Sequence, residues 1–250
     1  MPVMFVGHGN PMNAINHSRF AQTWDELGAH LPTPRAIVCM SAHWLTLGTY
    51  VSAHANPSIL YDFYGFPPEL YAVEYPARGD ESISRDILTL EPAIVPDYER
   101  GLDHGVWSVL MHLFPKGDVP IIPLSIDFGH DRREQFELMK HLRPLRDAGV
   151  LFIGSGNIVH NLARMRTAGA YDWALSFDTQ AAQLIGEGNH DALLNYETLG
   201  EAAQLSIPTD DHYRPMLNTL ALTHTHESPT FFNTDIDLGS VGMRSFVITR

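Results

Sequence analysis

Short, nearly continuous apolar runs recur along the chain, each bounded by turn-forming residues: Val3 to Val6, Ala36 to Met40, Tyr50 to Ala53, Ile121 to Ile126, Val150 to Ile153 and Ser245 to Ile248. Runs of this length without polar alternation predict strands of a largely buried sheet. Between them lie segments with helical spacing. The clearest is Arg133 to Arg146, where Phe136, Met139, Leu142 and Leu145 step by three, and a second is Asp178 to Ile185. Alternating strand and helix predicts an α/β fold, with a central, mainly parallel or mixed sheet flanked by helices. The stretch from Pro57 to Pro76 breaks the pattern, because Tyr61, Phe63, Tyr64, Phe66, Tyr71 and Tyr75 are mixed with Gly65, Pro67 and Pro68. It reads equally as an ordered aromatic loop over a site and as a packed surface loop.

Composition narrows this picture. A chain of 250 residues, 44% hydrophobic and 18% charged, suits one hydrophobic core, so a single domain over residues 1–250 is expected. The net charge of -13 repels polyanions, and Lys140, Arg143 and Arg146 lie at helical spacing rather than in a basic patch, so no nucleic-acid partner is expected. Cys39 is the single cysteine and sits within an apolar strand, which fits a buried residue in a reducing compartment. No run reaches the length of a membrane span and no secretory leader pattern is evident, so a cytoplasmic location is expected. Nothing in the sequence specifies an oligomeric state.

Fourteen histidines mean little as a count, but several fall at element ends. His8 follows the first strand and precedes Gly9-Asn10-Pro11, and His43 follows the second strand and precedes Trp44. In a parallel sheet these positions share the carboxyl edge, where ligands bind, so the two rings can share a metal. His160 follows Gly154-Ser155-Gly156, read as a turn, and Asn157, read as the N-cap of a helix through Leu162 and Met165. That would place it in a first helical turn, where the dipole favours neutral imidazole. His212 follows the helix-start signal Pro208-Thr209-Asp210-Asp211, and His104 directly precedes another helical pattern. Taken singly, each is more often a hydrogen-bonded structural histidine than a ligand; their joint placement favours a site. His224 and His226 read as a polar loop.

The motifs Gly7-His8-Gly9-Asn10-Pro11-Met12, Ser41-Ala42-His43-Trp44, Asp103-His104-Gly105-Val106-Trp107, Gly156-Asn157-Ile158-Val159-His160-Asn161 and Asp211-His212-Tyr213 occur in this order. Together they resemble the DOPA-dioxygenase-type branch of the class III extradiol ring-cleaving dioxygenases, from residue 3 to the C-terminus. The resemblance implies a mixed sheet flanked by helices with a non-haem metal centre at one edge. It implies one divalent ion per chain, Fe2+ or Zn2+, held by His8, His43 and His212. His160 would be the catalytic base and a candidate fourth ligand, and His104 would line the substrate pocket. The implied partners are a small catecholic substrate and O2.

Three neutral imidazoles leave the charge of a dipositive ion uncompensated, which favours a chelating catecholate in a low-dielectric cleft. On this reading His104 steadies the developing anionic oxygen or donates a proton, and Tyr213, Phe63 and Phe66 contact the aromatic ring. Asp210 and Asp211 are expected to serve the helix start rather than the His212 ring. Two other functions compete. A zinc hydrolase would use His160 or Asp103 to manage a proton, although no His-Glu-x-x-His motif is present. A binding protein would hold metal or a phenolic ligand without turnover.

Overall fold

Five of the apolar runs, joined by Ser228–Phe232, assemble into one six-stranded sheet in the computed structural model, which describes residues 1–249. Its strands are β1 (Val3–Gly7), β2 (Ala36–Ser41), β3 (Ile121–Pro123), β4 (Val150–Gly156), β5 (Ser228–Phe232) and β6 (Ser245–Thr249). The spatial order is β3-β2-β4-β1-β6-β5. The first four strands in this order are mutually parallel, whereas β6 runs antiparallel to both β1 and β5. The sheet is therefore mixed, with its parallel part in the centre.

The absence of polar alternation in the central strands follows from helices covering both faces. Phe5, Val38, Met40 and Phe152 share one core with Phe136, Phe177, Leu217 and Leu220 from helices Arg132–Lys140, Asp172–Gly186 and Arg214–Ala221. Val6, Ile37, Cys39 and Ile153 point the other way, towards Trp24, Val106 and Leu110 of helices Arg19–His30 and His104–Leu113. Each fully buried Phe or Ile of these strands contributes about 1.5–3 kcal/mol relative to an exposed side chain. Among the described residues no helix is long and apolar enough to cross a membrane.

Three expected elements differ in extent or partner. Tyr50–Ser52 is a strand, but it pairs with Val95–Asp97 outside the main sheet. The run from Ile121 to Ile126 divides after Pro123: Leu124 N–H still reaches Cys39 O (2.9 Å), but Ser125 turns its N–H to the Tyr50 carbonyl (2.8 Å), and Ile126–Asp127 pairs with Leu45–Thr46. The helix expected over Arg133 to Arg146 ends at Lys140, and a separate turn starts at Pro144, whose ring cannot follow a continuous helix.

Candidate metal centre

β1 runs directly into His8, and β2 leads through Ala42 to His43. β4 lies between them, with Gly7 opposite Gly156 and Ser41 opposite Ser155. The two backbones are thus separated by two strand spacings, about 9.6 Å. Two ladder bonds continue past the strand ends, His8 N–H to Gly156 O (3.1 Å) and Ala42 N–H to Ser155 O (3.0 Å), and aim the chain ends along this edge. The side chains lean together across the end of β4, and the two Nε2 atoms are 3.2 Å apart.

The surrounding acceptors determine where the protons sit. Ser155 Oγ donates its single proton to the Gly105 carbonyl (2.6 Å), so its contact with His8 Nδ1 (3.0 Å) must be donated by the ring. His8 therefore carries its proton on Nδ1 and a lone pair on Nε2. His43 Nδ1 lies 3.5 Å from Asp62 Oδ2 and His104 Nδ1 lies 3.1 Å from Asp62 Oδ1, so a carboxylate faces the Nδ1 of both rings. His212 Nδ1 meets Asp211 Oδ2 at 2.5 Å. A carboxylate only accepts, so the Nε2 atoms are left as the free donors of electrons.

Two lone pairs facing each other at 3.2 Å fit a shared cation. Two imidazole nitrogens, each about 2.05 Å from one ion at a tetrahedral angle, stand about 3.3 Å apart. Nitrogens of His8, His43 and His104 all lie within 4.8 Å of one another, and His160, Asp211 and His212 form an adjoining group. The His212 ring is 5.4 Å from His8 and 5.0 Å from His43 between centroids, and it stacks on His160 at 3.5 Å. All five histidines singled out in the sequence thus converge; His104 and His212 stand equally far from His8 (5.4 Å), and His104 is the closer of the two to His43 (4.0 against 5.0 Å).

Burial, followed by the neighbouring rings, depresses the pKa of His8, His43 and His160. For His160 the value is about 3, set by burial and then by His212. These rings are neutral near pH 7, as ligands or bases must be. A helix dipole is not the reason, because no helix spans Asn157 to Met165. β4 continues to Gly156, His160 donates its N–H to Ser206 O (2.9 Å) and bridges to Val241, and only a short 3-10 turn occupies Leu162–Arg164.

Gly156 brings His212 close. A Cβ there would stand 2.2 Å from the His212 carbonyl, which instead accepts the Asn157 N–H at 2.8 Å. The helix after His212 begins at Arg214. Asp210 serves that start through its carbonyl, which accepts the Tyr213 and Arg214 N–H groups. Asp211 does not share the expected helix-start role, since its carboxylate holds the His212 ring. That contact, acting against the cost of burial, lowers the Asp211 pKa.

A cavity of about 260 Å³ opens over the histidines, walled by Pro11, Phe66, Leu162, Met165, Leu238 and Val241. Phe66 of the aromatic loop is part of this wall. Phe63 stands behind it, packed on Phe66 (5.3 Å) and His104 (5.7 Å). Tyr213 does not face the cavity: it is 1% exposed, donates its hydroxyl to Leu193 O (3.1 Å) and packs on Tyr196, because its position before the helix turns it into the core. Asp103 is committed elsewhere, accepting Ser41 Oγ (2.6 Å) and Arg100 Nη2 (2.7 Å), while the same Arg100 nitrogen holds the His43 carbonyl (3.1 Å). Two contributors escaped sequence reasoning. Ser155 lay in a segment read as a turn, and Asp62 is flanked by Tyr61 and Phe63, where a carboxylate among aromatics was the available signal.

Known proteins resemble this chain in sequence and in fold. Residues 3–228 match the family model of the catalytic LigB subunit of aromatic ring-opening dioxygenase. The chain is 38% identical to an Escherichia coli K12 protein named 4,5-DOPA dioxygenase extradiol, over 99% of this chain and 94% of that protein. It is 31% identical to a Beta vulgaris protein of the same name, over 98% and 95% respectively. The crystal structure of an uncharacterized Escherichia coli K12 protein superposes with a TM-score of 0.83 at 35% identity, covering all of both chains. A match this long, carried by a fold that gathers neutral imidazoles at one sheet edge, shows that the chain belongs to the LigB family of aromatic ring-opening dioxygenases.

Proposed function

We propose that residues 1–250 act as a single catalytic domain that opens the ring of a DOPA-like catechol with O2 in the cytoplasm, using one ferrous ion held by His8, His43 and His212. The observation that carries this reading is the approach of the His8 and His43 Nε2 atoms to 3.2 Å beneath an apolar slot, each ring with its Nδ1 turned to an acceptor. Asp211 supports His212 as the third ligand, because a carboxylate on the far nitrogen orients a ligating ring and raises its basicity. When bound, the ion supplies chelation of both catechol oxygens and electron exchange with O2. Zinc binds such a donor set but is redox-inert, so a zinc-loaded protein would not turn over.

His160, neutral and stacked on His212, takes one phenolic proton as the substrate enters. His104 lines the cavity with its Nδ1–H held by Asp62, so its Nε2 can accept the second phenolic proton and, as the imidazolium so formed, return it to the developing oxyanion. Phe66, backed by Phe63, bounds the ring site. Among the described residues that line the cavity, Asp237 is the one carboxylate and no Lys or Arg joins it. Charge therefore favours catechols with an ammonium group over those bearing a carboxylate alone. The hydrolase alternative loses one of its proton carriers, since Asp103 is taken by Ser41 and Arg100.

Anaerobic loading with Fe2+ or Zn2+, followed by DOPA, dopamine, caffeate or protocatechuate in air, tests this reading. Oxygen uptake with a yellow product is expected for the iron form, with higher kcat/KM for DOPA and dopamine. An iron form that consumes no O2 with any catechol, together with ester or amide hydrolysis by the zinc form, would overturn it.

A further inference from the structure

Asp62 lies outside the sheet, in the aromatic loop, yet one carboxylate serves two rings of the site. Oδ1 accepts the backbone N–H of His104 (2.8 Å) and its Nδ1–H (3.1 Å), while Oδ2 faces His43 Nδ1 at 3.5 Å. The N–H of His104 opens helix His104–Leu113, and the preceding Asp103 gives it no side-chain cap because its carboxylate is occupied by Ser41 and Arg100. Asp62 therefore caps this helix from 42 residues away, meeting an end that its own N-cap residue gives no side-chain acceptor.

We propose that Asp62 is a positioning residue that sets the tautomers of His43 and His104 and makes tight metal binding depend on the aromatic loop being docked. This rests on the metal-dependent reading above. A neutral imidazole has two tautomers of similar energy, and only the one protonated on Nδ1 presents an Nε2 lone pair to the cavity. Nothing on His43's own strand selects between them; the Asp62 carboxylate does.

The position of Asp62 is inherited from the loop. Leu60 N–H reaches Leu102 O (2.6 Å), Leu102 N–H reaches Ser58 O (2.8 Å), Trp107 Nε1 reaches Leu60 O (2.9 Å), and Tyr61 donates to Val73 O (2.7 Å). Undocking this loop removes the carboxylate from both rings at once. Coupling is reciprocal, so an ion that binds more tightly with the loop docked must itself hold the loop down.

Asp62→Asn separates tautomer control from shape. The Asn oxygen can keep both bonds to His104, which turns the amide NH2 towards His43 Nδ1, donor against donor. His43 must then move its proton to Nε2, directly opposite His8. Zn2+ affinity, measured by competition with a chelating dye and hence without turnover, should fall about 10–100-fold, the usual effect of losing such an orienting partner. Asp62→Glu, which retains a carboxylate, should recover part of it. In the unmutated protein, Zn2+ should slow amide hydrogen exchange over residues 58–64, a measurement that needs no variant to fold.

Equal Zn2+ affinity in unmutated protein and Asp62→Asn, or loop exchange unaffected by Zn2+, would overturn the role of Asp62 and leave the dioxygenase reading intact. Failure of the unmutated protein to bind either Zn2+ or Fe2+ would overturn both.

Discussion

The two edges of the parallel sheet each carry histidines above a cavity, but only one edge is built for chemistry. At the carboxyl edge, His8, His43, His104 and His212 each have a fixed acceptor at Nδ1, and together with His160 their rings crowd beneath apolar walls. At the amino edge, a larger cavity of about 420 Å³ is lined by His190, His224 and His226 with Arg143, Glu187 and Glu227. There, charges of both signs intermix, and no cluster of metal-binding geometry forms among the described residues. The strongest feature of that edge is structural: fully buried Arg146 holds Glu227 through two bonds (2.8 and 2.9 Å) and reaches the carbonyls of Leu222 and Met1. Histidines stand at both edges; what distinguishes the carboxyl edge is that five rings converge on one point.

The comparison breaks most sharply in the histidines. His8→Ala or His43→Ala should lose bound metal and reduce oxygen uptake to background. His160→Ala should retain metal while turnover falls about 10²–10⁴-fold, the usual contribution of a general base. Metal analysis of the three purified variants decides this, and equal metal loss in all three would make His160 a full ligand. His104→Ala and His212→Ala, assayed alongside, resolve which of them is the third ligand; greater metal loss in His104→Ala would reassign the role proposed for His212.

At the amino edge the expected effect is on stability. Arg146→Met removes both guanidinium bonds to the Glu227 carboxylate and should cost about 3–5 kcal/mol in urea unfolding. Oxygen uptake per bound metal should stay unchanged; a loss of activity per bound metal would show that the edges are coupled.

Acidification probes the carboxyl edge of the metal-free protein. His8, His43 and His160 are held neutral in the fold, whereas in the unfolded chain they take up protons below about pH 6.5. The unfolded state then binds more protons, so stability is complete above about pH 6.5 and declines as pH falls towards the folded-state values. The slope is about 1.4 kcal/mol per pH unit for each histidine that stays neutral. Urea titrations at pH 7.5, 6.5 and 5.5 should show this decline, and a flat profile would contradict burial of the neutral rings.

The smallest effect is expected for His226→Asn, at an exposed loop position with φ of 74°, a conformation Asn tolerates well. Metal content should not change, and stability should move by no more than about 0.5 kcal/mol.

Sequence reasoning succeeded where local pattern and parallel-sheet geometry suffice. The apolar runs located the central strands, and their ends placed His8 and His43 on one edge. It failed where one local signal serves two purposes. An aspartate before a helix reads alike as a cap or as a ring partner, so Asp211 was assigned to the helix although its carboxylate holds His212. Tyr213 was placed in the pocket by adjacency to His212, yet one step along the chain at a helix entrance turns a side chain from the cavity into the core. Gly154-Ser155-Gly156 resembled a turn but continues the central strand, bringing Ser155 to His8.

By itself the sequence determined the layered α/β architecture and the edge at which chemistry-bearing residues gather, because strand length, apolar continuity and the shared direction of parallel strands are encoded locally. Only the tertiary structure decided which rings meet and which nitrogen of each carries the proton. Those properties depend on acceptors distant in the chain, Ser155 for His8 across 147 residues and Asp62 for His104 across 42. A ring's tautomer follows its acceptor, and no local pattern states where that acceptor will be.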